Sequence, residues 1–316
     1  MKTLTKFAMF TTLGAFSIGI QAAEPLVDVE WVKENIGQTD IVFLDVRGKL
    51  AGKSKADYLE AHIPGAVHTA YLKDGWRSRN SAGTPGMLSP VEKLEGLIGG
   101  LGIGNDSHVV IVPNGSKAVD MGTGTRIYWT FKVLGHDNVS LLDGGMTAYT
   151  KEIDEKTKKP INPLEKGTVK IEPQTFKASL REEMIVTKED MIAAQESGKT
   201  IVDHRPHNQY VGINKAGIAK RPGTIPGASN VPENWLTQNG GGAFRSKGDL
   251  EKLFGAANVS TTGDQINFCN SGHWASLGWF ASHEILGNKD AKIYDGSMAE
   301  WSADESLPME LKINLE

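Results

Sequence analysis

Residues 269–276, Cys-Asn-Ser-Gly-His-Trp-Ala-Ser, contain the only cysteine among the 316 residues of the chain. The apolar run Ile-Asn-Phe precedes this cysteine directly, and a helical pattern begins near Ala275. A thiol at the end of a buried strand, just before a helix, stands where open α/β sheets bind their ligands. A free cysteine is commonly only a small core residue. The position of Cys269 favours a chemically active thiol instead.

The loop that follows Cys269 has the composition of an anion site. Gly272 permits a tight turn, so that successive backbone N–H groups and the first turn of the next helix can converge on one point. Such a cradle favours a thiolate or a bound oxyanion. The candidate substrate-binding residues are therefore Asn270, Ser271, Gly272, His273, Trp274 and Ala275.

Residues 1–23 resemble a secretory signal peptide. Lys2 and Lys6 precede an apolar run over residues 7–20, and small residues suited to cleavage follow. The run is shorter than the roughly 20 residues that span a bilayer. We therefore expect export to the periplasm, where disulfides form, although a lone cysteine cannot make one within its own chain.

The charge of the chain disfavours nucleic acid and anionic membranes as partners. The chain has 34 basic and 38 acidic residues, a net charge of −4, and loss of the two signal-peptide lysines lowers it to −6. A surface of this sign repels polyanions. We expect small-molecule substrates and a monomer.

Paired motifs indicate that the chain is a tandem duplication. IVFLDVR and HIPGAV in residues 41–67 correspond to IVDHR and TIPGASNV in residues 201–231, and LLDGGMTAY corresponds to IYDGSMAEW. We predict a first domain over 24–150, a linker rich in lysine and proline over 151–185 that packs on both domains, and a cysteine-bearing domain over 186–316.

Both units alternate short β-branched runs with amphipathic stretches. The predicted strands are IVFLDV, HVVIV, VSLL, TIVD, INF and AKIY, and the predicted helices are TRIYWTFKVLG, KEDMIAAQES, KGDLEKLFGA and SLGWFASHEILG. Alternating strands and helices predict an α/β fold, in which each domain has a mainly parallel sheet with helices on both faces.

The spacing around the cysteine disfavours phosphate chemistry. Cysteine-based phosphatases use Cys-x5-Arg, in which the arginine holds the phosphate dianion. The sixth residue after Cys269 is Ala275. Phosphatase or arsenate reductase activity is therefore disfavoured.

The DVR…HIPGA and DHR…TIPGA elements, the LDGG and YDGS segments, and one cysteine opening a six-residue loop resemble the tandem-domain rhodaneses, a family of thiosulfate and 3-mercaptopyruvate sulfurtransferases. The resemblance implies the rhodanese fold twice, with Pro113 of the first domain standing where Cys269 stands in the second. It also implies that Cys269 takes sulfane sulfur from thiosulfate as a persulfide and passes it to a thiol, sulfite or cyanide. No cofactor or metal is implied.

Two departures from the family leave the donor open. Gln209 stands where the family commonly has a second donor-binding arginine, and the loop lacks the cations of the thiosulfate enzymes. The donor could therefore be 3-mercaptopyruvate, or Cys269 could relay a persulfide from a partner protein. A protonated His273 could replace the missing charge. Alternatively, His273 and Trp274 pack against the first domain.

Arginines of the second domain are further candidates for donor binding. Arg205 is included among the substrate-binding residues, although an arginine two residues after a strand-end aspartate is also expected to pair with an acidic neighbour. Arg221 and Arg245 lie in predicted loops and could face the cleft.

Three weaker motifs carry no function by themselves. Residues 48–54, GKLAGKS, resemble a phosphate loop, but that motif requires glycine at position 47, which is Arg47. His204 and His207 have the spacing of a metal pair without further ligands in sequence. Residues 122–124, Gly-Thr-Gly, lack the rest of a dinucleotide motif and are expected in a remodelled loop.

Overall fold

The structure, a computed structural model, describes residues 23–315, which form two domains of the same architecture. The first domain has a parallel sheet in the order β1-β7-β6-β2-β3 and a separate antiparallel hairpin of β4 and β5. Its strands are β1 (Leu26–Val27), β2 (Ile41–Asp45), β3 (Val67–His68), β4 (Arg77–Arg79), β5 (Pro85–Leu88), β6 (His108–Val112) and β7 (Val139–Leu142). Its helices are α1 (Val29–Glu34), α2 (Lys55–Glu60), α3 (Val91–Gly100), α4 (Ala118–Val133) and α5 (Gly145–Tyr149), with a 3-10 turn at Lys49–Ala51.

The second domain repeats this topology in the order β10-β9-β11-β12-β8, again all parallel. Its strands are β8 (Ile185–Val186), β9 (Thr200–Asp203), β10 (Ser229–Asn230), β11 (Gln265–Phe268) and β12 (Ala291–Tyr294). Its helices are α6 (Lys188–Glu196), α7 (His207–Tyr210), α8 (Lys247–Ala256), α9 (His273–Phe280) and α10 (Ser297–Trp301). A π-helical turn, Ala281–Ile285, extends α9, and 3-10 turns lie at Glu182–Met184, Glu233–Trp235 and Gln238–Gly240.

Both faces of each sheet are covered by helices, as predicted. In β6, Val109 and Ile111 pack in the cluster that contains α3 and α4, whereas Val110 and Val112 pack in the cluster that contains α1 and α5. Successive side chains of a strand point to opposite faces. A strand buried on both sides therefore needs a continuous apolar run, which HVVIV provides.

Helices α4 and α9 pack against each other and join the two domains. They occupy equivalent places, each after the central strand of its sheet, β6 or β11, and both are buried over almost their whole length. The rings of Tyr128 and Phe280 meet edge to face at 4.9 Å, and the hydroxyl oxygens of Thr125 and Ser276 lie 2.9 Å apart. A single apolar cluster therefore extends through both domains.

The expectation of a loop at residues 122–124 is wrong, because these residues lie inside α4. Gly122 faces His273, and a Cβ atom at position 122 would lie 2.7 Å from His273 Nε2. The glycine therefore allows the two helices to approach closely.

The linker packs on the first domain. Gln174 N donates to Gly99 O at 2.9 Å, and the ring of Phe176 is buried in the core beside Phe131. Arg181 holds Asp137 through two hydrogen bonds and lowers the pKa of that carboxyl. The last residues of the linker contact the second domain, because the turn Glu182–Met184 lies against β12 and Ile185 pairs with Ile293 of that strand. The linker therefore contacts both domains.

The predicted signal peptide lies outside the described residues except for its last residue. Within residues 23–315, no helix combines the length and apolar character needed to cross a bilayer.

Candidate active site

The central strand β11 places Cys269 at the carboxyl edge of the second sheet. All four residues of β11 are buried, and Cys269 itself has no exposed surface. Gly272 then turns the chain into α9 with φ at +74°, in the left-handed region. A Cβ atom on Gly272 would lie 2.2 Å from Arg126 Nη1, so both the backbone conformation and the crowding require glycine.

The hydroxyl of Ser297 ties the two ends of this loop together. Ser297 Oγ accepts hydrogen bonds from Cys269 N at 3.2 Å and from Gly272 N at 3.1 Å, and it donates to Tyr294 O. Met298 N donates to Cys269 O at 3.0 Å. In the sequence, the YDGS segment indicates only the repeat, and it does not predict this positioning role of its serine.

The remaining N–H groups of the loop have no acceptor among residues 23–315. They belong to Asn270, Ser271, His273, Trp274 and Ala275. Helix α9 has no acidic residue in its first turn and no side-chain cap. The positive end of the helix is thus available to an anion.

The corresponding loop of the first domain holds an anion of its own. Pro113 O accepts from Met146 N just as Cys269 O accepts from Met298 N, so Pro113 and Cys269 occupy equivalent positions. In the first domain, the carboxylate of Asp120 accepts from Ser116 N at 2.9 Å and from Lys117 N at 2.7 Å. In the first domain, the N–H groups of this loop type therefore hold a carboxylate.

Two arginines of the first domain reach the cysteine loop. Arg77 Nη2 donates to Ser271 O, and Arg126 Nη1 donates to Gly272 O at 3.3 Å. Sequence reasoning found no cation in the loop and could not see these two, because they come from a distant part of the chain.

Arg126 is a buried cation in an interdomain ion pair. Its side chain is 1% exposed, and its Nη1 lies 2.6 Å from Asp295 Oδ1. Burial disfavours the charge, but the Asp295 carboxylate outweighs this cost and raises the pKa of Arg126. The Nε and Nη2 groups have no hydrogen-bond acceptor within the described chain, and the guanidinium lies over the ring of Trp129 at 4.4 Å.

His273 packs against the first domain and is neutral. Its Nε2 lies 2.7 Å from Val119 O and its Nδ1 lies 3.2 Å from Tyr71 Oη. A carbonyl only accepts, so Nε2 carries the proton and the Tyr71 hydroxyl donates to Nδ1. Burial, assisted by the charge of Arg77, lowers the pKa of His273 to about 3. The suggestion that a protonated His273 replaces the missing loop charge is therefore wrong.

Trp274 follows His273 in packing against the core that the domains share. Its indole Nε1 is buried and has no acceptor in the described part of the chain. The side chains of both residues are thus packing elements, while their main-chain N–H groups stay in the predicted anion cradle.

Arg205 is committed to its own strand rather than to the loop. Its guanidinium bonds both carboxylate oxygens of Asp203 and donates to Gly223 O at 2.8 Å. The same pair, Arg47 with Asp45, occurs in the domain that lacks a cysteine. These contacts favour a structural role for Arg205, and its assignment as a substrate-binding residue stays a prediction.

The other second-domain candidates also have structural partners. Arg221 donates to four carbonyl groups near the end of the chain, and Arg245 donates to Trp235 O. Gln209 is the exception, since its Oε1 accepts from Asn270 Nδ2 at 2.9 Å and so contacts the cysteine loop. His204 hydrogen-bonds Val231 and Asn267, and within residues 23–315 no cluster of three potential metal ligands is present.

The hairpin of β4 and β5 covers the loop from the side of the first domain. Leu88 N donates to Asp295 Oδ2 at 2.6 Å, and a Cβ atom on Gly86 would lie 3.2 Å from Ser271 Cβ. The second domain returns the same contact, because Phe244 N donates to Asp143 Oδ1 at 2.9 Å. Each domain therefore covers the loop that follows β7 or β12 in the other domain.

Fold and site together define a class: a duplicated α/β protein with one cysteine at the carboxyl end of a central parallel strand, enclosed by the cysteine-free domain. Residues 28–152 and 187–304 both match the rhodanese-like domain. The chain therefore belongs to the rhodanese-like family, and it is a sulfurtransferase.

Individual relatives agree with this assignment. The chain is 32% identical over 289 residues to the thiosulfate sulfurtransferase of Bos taurus, covering 87% of this chain and 91% of the relative. It is 27% identical to SseA of Escherichia coli, a 3-mercaptopyruvate sulfotransferase, with a TM-score of 0.72 and coverage of 87% and 99%. The Tum1 protein of Saccharomyces cerevisiae shares the fold, with a TM-score of 0.74 at 19% identity, over 91% of this chain and 98% of its own.

Proposed function

We propose that the chain transfers sulfane sulfur from thiosulfate to a small nucleophile through a persulfide on Cys269. The observation that carries this proposal is the position of the only cysteine beside five N–H groups that have no acceptor within residues 23–315, at the start of a helix that lacks its own acidic cap. Such groups stabilise negative charge that develops during a reaction.

The reaction has two displacement steps. The Cys269 thiolate attacks the outer sulfur of thiosulfate, a new S–S bond forms, and sulfite leaves with the electron pair of the old S–S bond. An acceptor nucleophile then attacks the outer sulfur of the persulfide. Cyanide would leave as thiocyanate, and Cys269 would return to the thiolate.

Thiosulfate is proposed as the donor because cations from the first domain offset their absence from the loop. Arg77 and Arg126 both donate to loop carbonyls, and Arg126 has two further N–H sites without acceptors. Positive charge in a water-poor site favours an anionic donor and the sulfite leaving group. 3-Mercaptopyruvate is the second candidate donor, since the chain resembles SseA.

Small donors fit the burial of Cys269 better than a protein-bound persulfide does. The thiol has no exposed surface and lies beneath a loop that the hairpin covers. A relay from a partner protein would require a larger opening than a small anion needs.

We also propose that the protein acts in the periplasm, because its first residues have the pattern of a signal peptide. Cell fractionation tests this location.

Mass spectrometry tests the persulfide. Purified protein treated with thiosulfate should gain about 32 Da on the peptide that contains Cys269, and cyanide should remove this mass with release of thiocyanate. Treatment with 3-mercaptopyruvate in parallel ranks the donors. A Cys269→Ser variant that still produces thiocyanate at the wild-type rate would refute the assignment.

A further inference from the structure

The first domain contains a cavity of about 530 Å³ at the carboxyl edge of its sheet. This volume lies within the range of small-molecule sites, and the carboxyl edge is where α/β sheets bind ligands. The cavity is lined by the segments that follow β2, β3 and β6, including Lys49, Lys55, Lys73, Tyr71, Asn114 and Thr123. It is thus the counterpart, in the cysteine-free domain, of the region around Cys269.

The cavity lining has more positive than negative charge, with Arg47 and four lysines against the carboxylates of Asp74 and Asp120. Lys49, Lys55 and Lys73 are exposed, and no carboxylate within residues 23–315 lies within ion-pairing distance of their Nζ atoms. By contrast, Lys53 in the same lining is paired with Asp57 at 3.1 Å. In a chain with a net charge of −4, three free ammonium groups around one cavity favour an anionic ligand.

The two domains differ at one position beside this region. In the second domain, Gln209 bonds Asn270 across the equivalent region. The Asp-x-Arg elements of the two domains align Gln209 with Ala51, whose side chain is too short for this contact. Asn114, the counterpart of Asn270, instead turns its Nδ2 toward Asp120 at 3.3 Å.

Side chains rather than loop amides are the recognition groups of this cavity. Residues 48–54, which resemble a phosphate loop, do connect β2 to α2. However, the carboxylate of Asp57 already accepts from Ser54 N at 2.8 Å, so the protein fills the N-terminal anion position of α2 itself. An anion in the cavity must therefore be held by the lysines.

We propose that this cavity binds a small organic polyanion, whose carboxylate or phosphate groups are held by Lys49, Lys55 and Lys73. A bound ligand would lie against Tyr71, which hydrogen-bonds His273 at the start of α9. The proposal rests on the first domain alone and does not depend on the chemistry of Cys269.

Isothermal titration calorimetry with the full chain tests the site, using citrate as the carboxylate probe and AMP as the phosphate probe. Saturable binding of either probe that weakens between about 50 mM and about 300 mM NaCl supports the proposal. The tighter probe identifies the anionic group. Absence of saturable binding for both probes overturns it.

Variants locate the binding. The triple variant Lys49→Ala/Lys55→Ala/Lys73→Ala should weaken binding by at least about tenfold. The triple variant Lys151→Ala/Lys156→Ala/Lys159→Ala removes the same charge from the linker and should change the affinity by less than about twofold, because these lysines do not line the cavity. Equal losses in both variants would refute a local site.

Ala51→Gln tests the cavity without changing any charge. It restores the residue type that the second domain has at this position, so its side chain should reach Asn114 and weaken binding by at least about tenfold. Wild-type affinity in this variant would show that the ligand binds elsewhere and overturn the proposal.

Discussion

Removal of the Ser297 hydroxyl should damage the cysteine loop more than the loss of a single hydrogen bond would. This hydroxyl is the acceptor for both Cys269 N and Gly272 N, and the residue is fully buried. In Ser297→Ala, both buried N–H groups lose their hydrogen-bond partner. Each such group costs about 1–3 kcal/mol, so the free energy of unfolding should fall by about 2–6 kcal/mol.

The same change should lower turnover. Cys269 N and Gly272 N stand at the two ends of the loop, so the loss of their common acceptor releases the position of the thiol relative to α9. A displacement of about 1 Å at a reacting atom lowers the rate by about 100-fold. Urea denaturation measures the stability, and thiocyanate formation from thiosulfate and cyanide measures the rate.

Two further variants separate the hydroxyl from the backbone. Ser297 has φ at +49°, so Ser297→Gly should recover part of the stability without recovering the rate. Ser302→Ala is the matched control: Ser302 follows α10, is 1% exposed, accepts from Lys220 N and donates to Met298 O, but its hydroxyl does not contact the loop. Ser302→Ala should lower stability and keep the wild-type rate. Wild-type turnover in Ser297→Ala would refute the positioning role.

Three other predictions follow from the interface. Arg126→Gln should lower the free energy of unfolding by about 3–5 kcal/mol, because it leaves the buried Asp295 without its ion-pair partner. The double variant Arg126→Gln/Asp295→Asn should recover part of this loss in urea denaturation, and no recovery would contradict the pairing. The pKa of His273 is about 3 in the folded chain and about 6.5 when unfolded, so the unfolded state binds more protons between these values and stability is lost on acidification. His273 should therefore make the wild type about 2 kcal/mol less stable at pH 5 than at pH 7, and His273→Asn should lose this difference. Arg77→Ala should loosen the hairpin and accelerate alkylation of Cys269 by iodoacetamide several-fold, whereas Arg79→Ala, which removes only a contact to Gly83, should not; equal rates in the two variants would contradict the covering role.

The long strands and the duplication could be predicted because their signals are local. TIVD, AKIY, HVVIV and VSLL match the observed strands residue for residue, since a strand buried on both faces is a nearly continuous apolar run. The edge strands β1, β3, β8 and β10 have two residues each, too few for any periodic pattern. The beginning of α4 is not predicted, because Gly122 and Gly124 are poor helix formers. Gly122 permits close packing with His273 of the other domain, and Gly124 permits close packing with Leu141 and Pro113 of its own domain.

The cysteine loop could be placed from sequence, but its partners could not. A thiol between a strand and a helix is visible within ten residues, whereas Ser297, Arg126 and Tyr71 reach the loop only through the tertiary fold. One signal for Arg126 was present: it is a charged residue within TRIYWTFKV, a helical stretch that lacks a polar face. A charge that cannot reach water must have a buried partner, and that partner is Asp295.

The equivalent loops of the two domains differ in the group that occupies the positive end of the helix that follows, α4 in the first domain and α9 in the second. In the first domain, Asp120 lies one turn into α4 and its carboxylate takes the loop N–H groups. Asp120 is the third residue of α4, and in the second domain the third residue of α9 is Ala275, which has no side-chain acceptor for those groups. A helix end that already holds its own carboxylate gains nothing from a second anion, whereas an uncapped one stabilises a thiolate or a sulfur oxyanion. The N–H groups at this helix end are therefore occupied in the cysteine-free domain and available in the other, within the described residues. The cysteine-free domain contributes Arg77 and Arg126 to the cysteine loop, and Arg126 is the ion-pair partner of Asp295. It also contributes the hairpin of β4 and β5 that covers this loop.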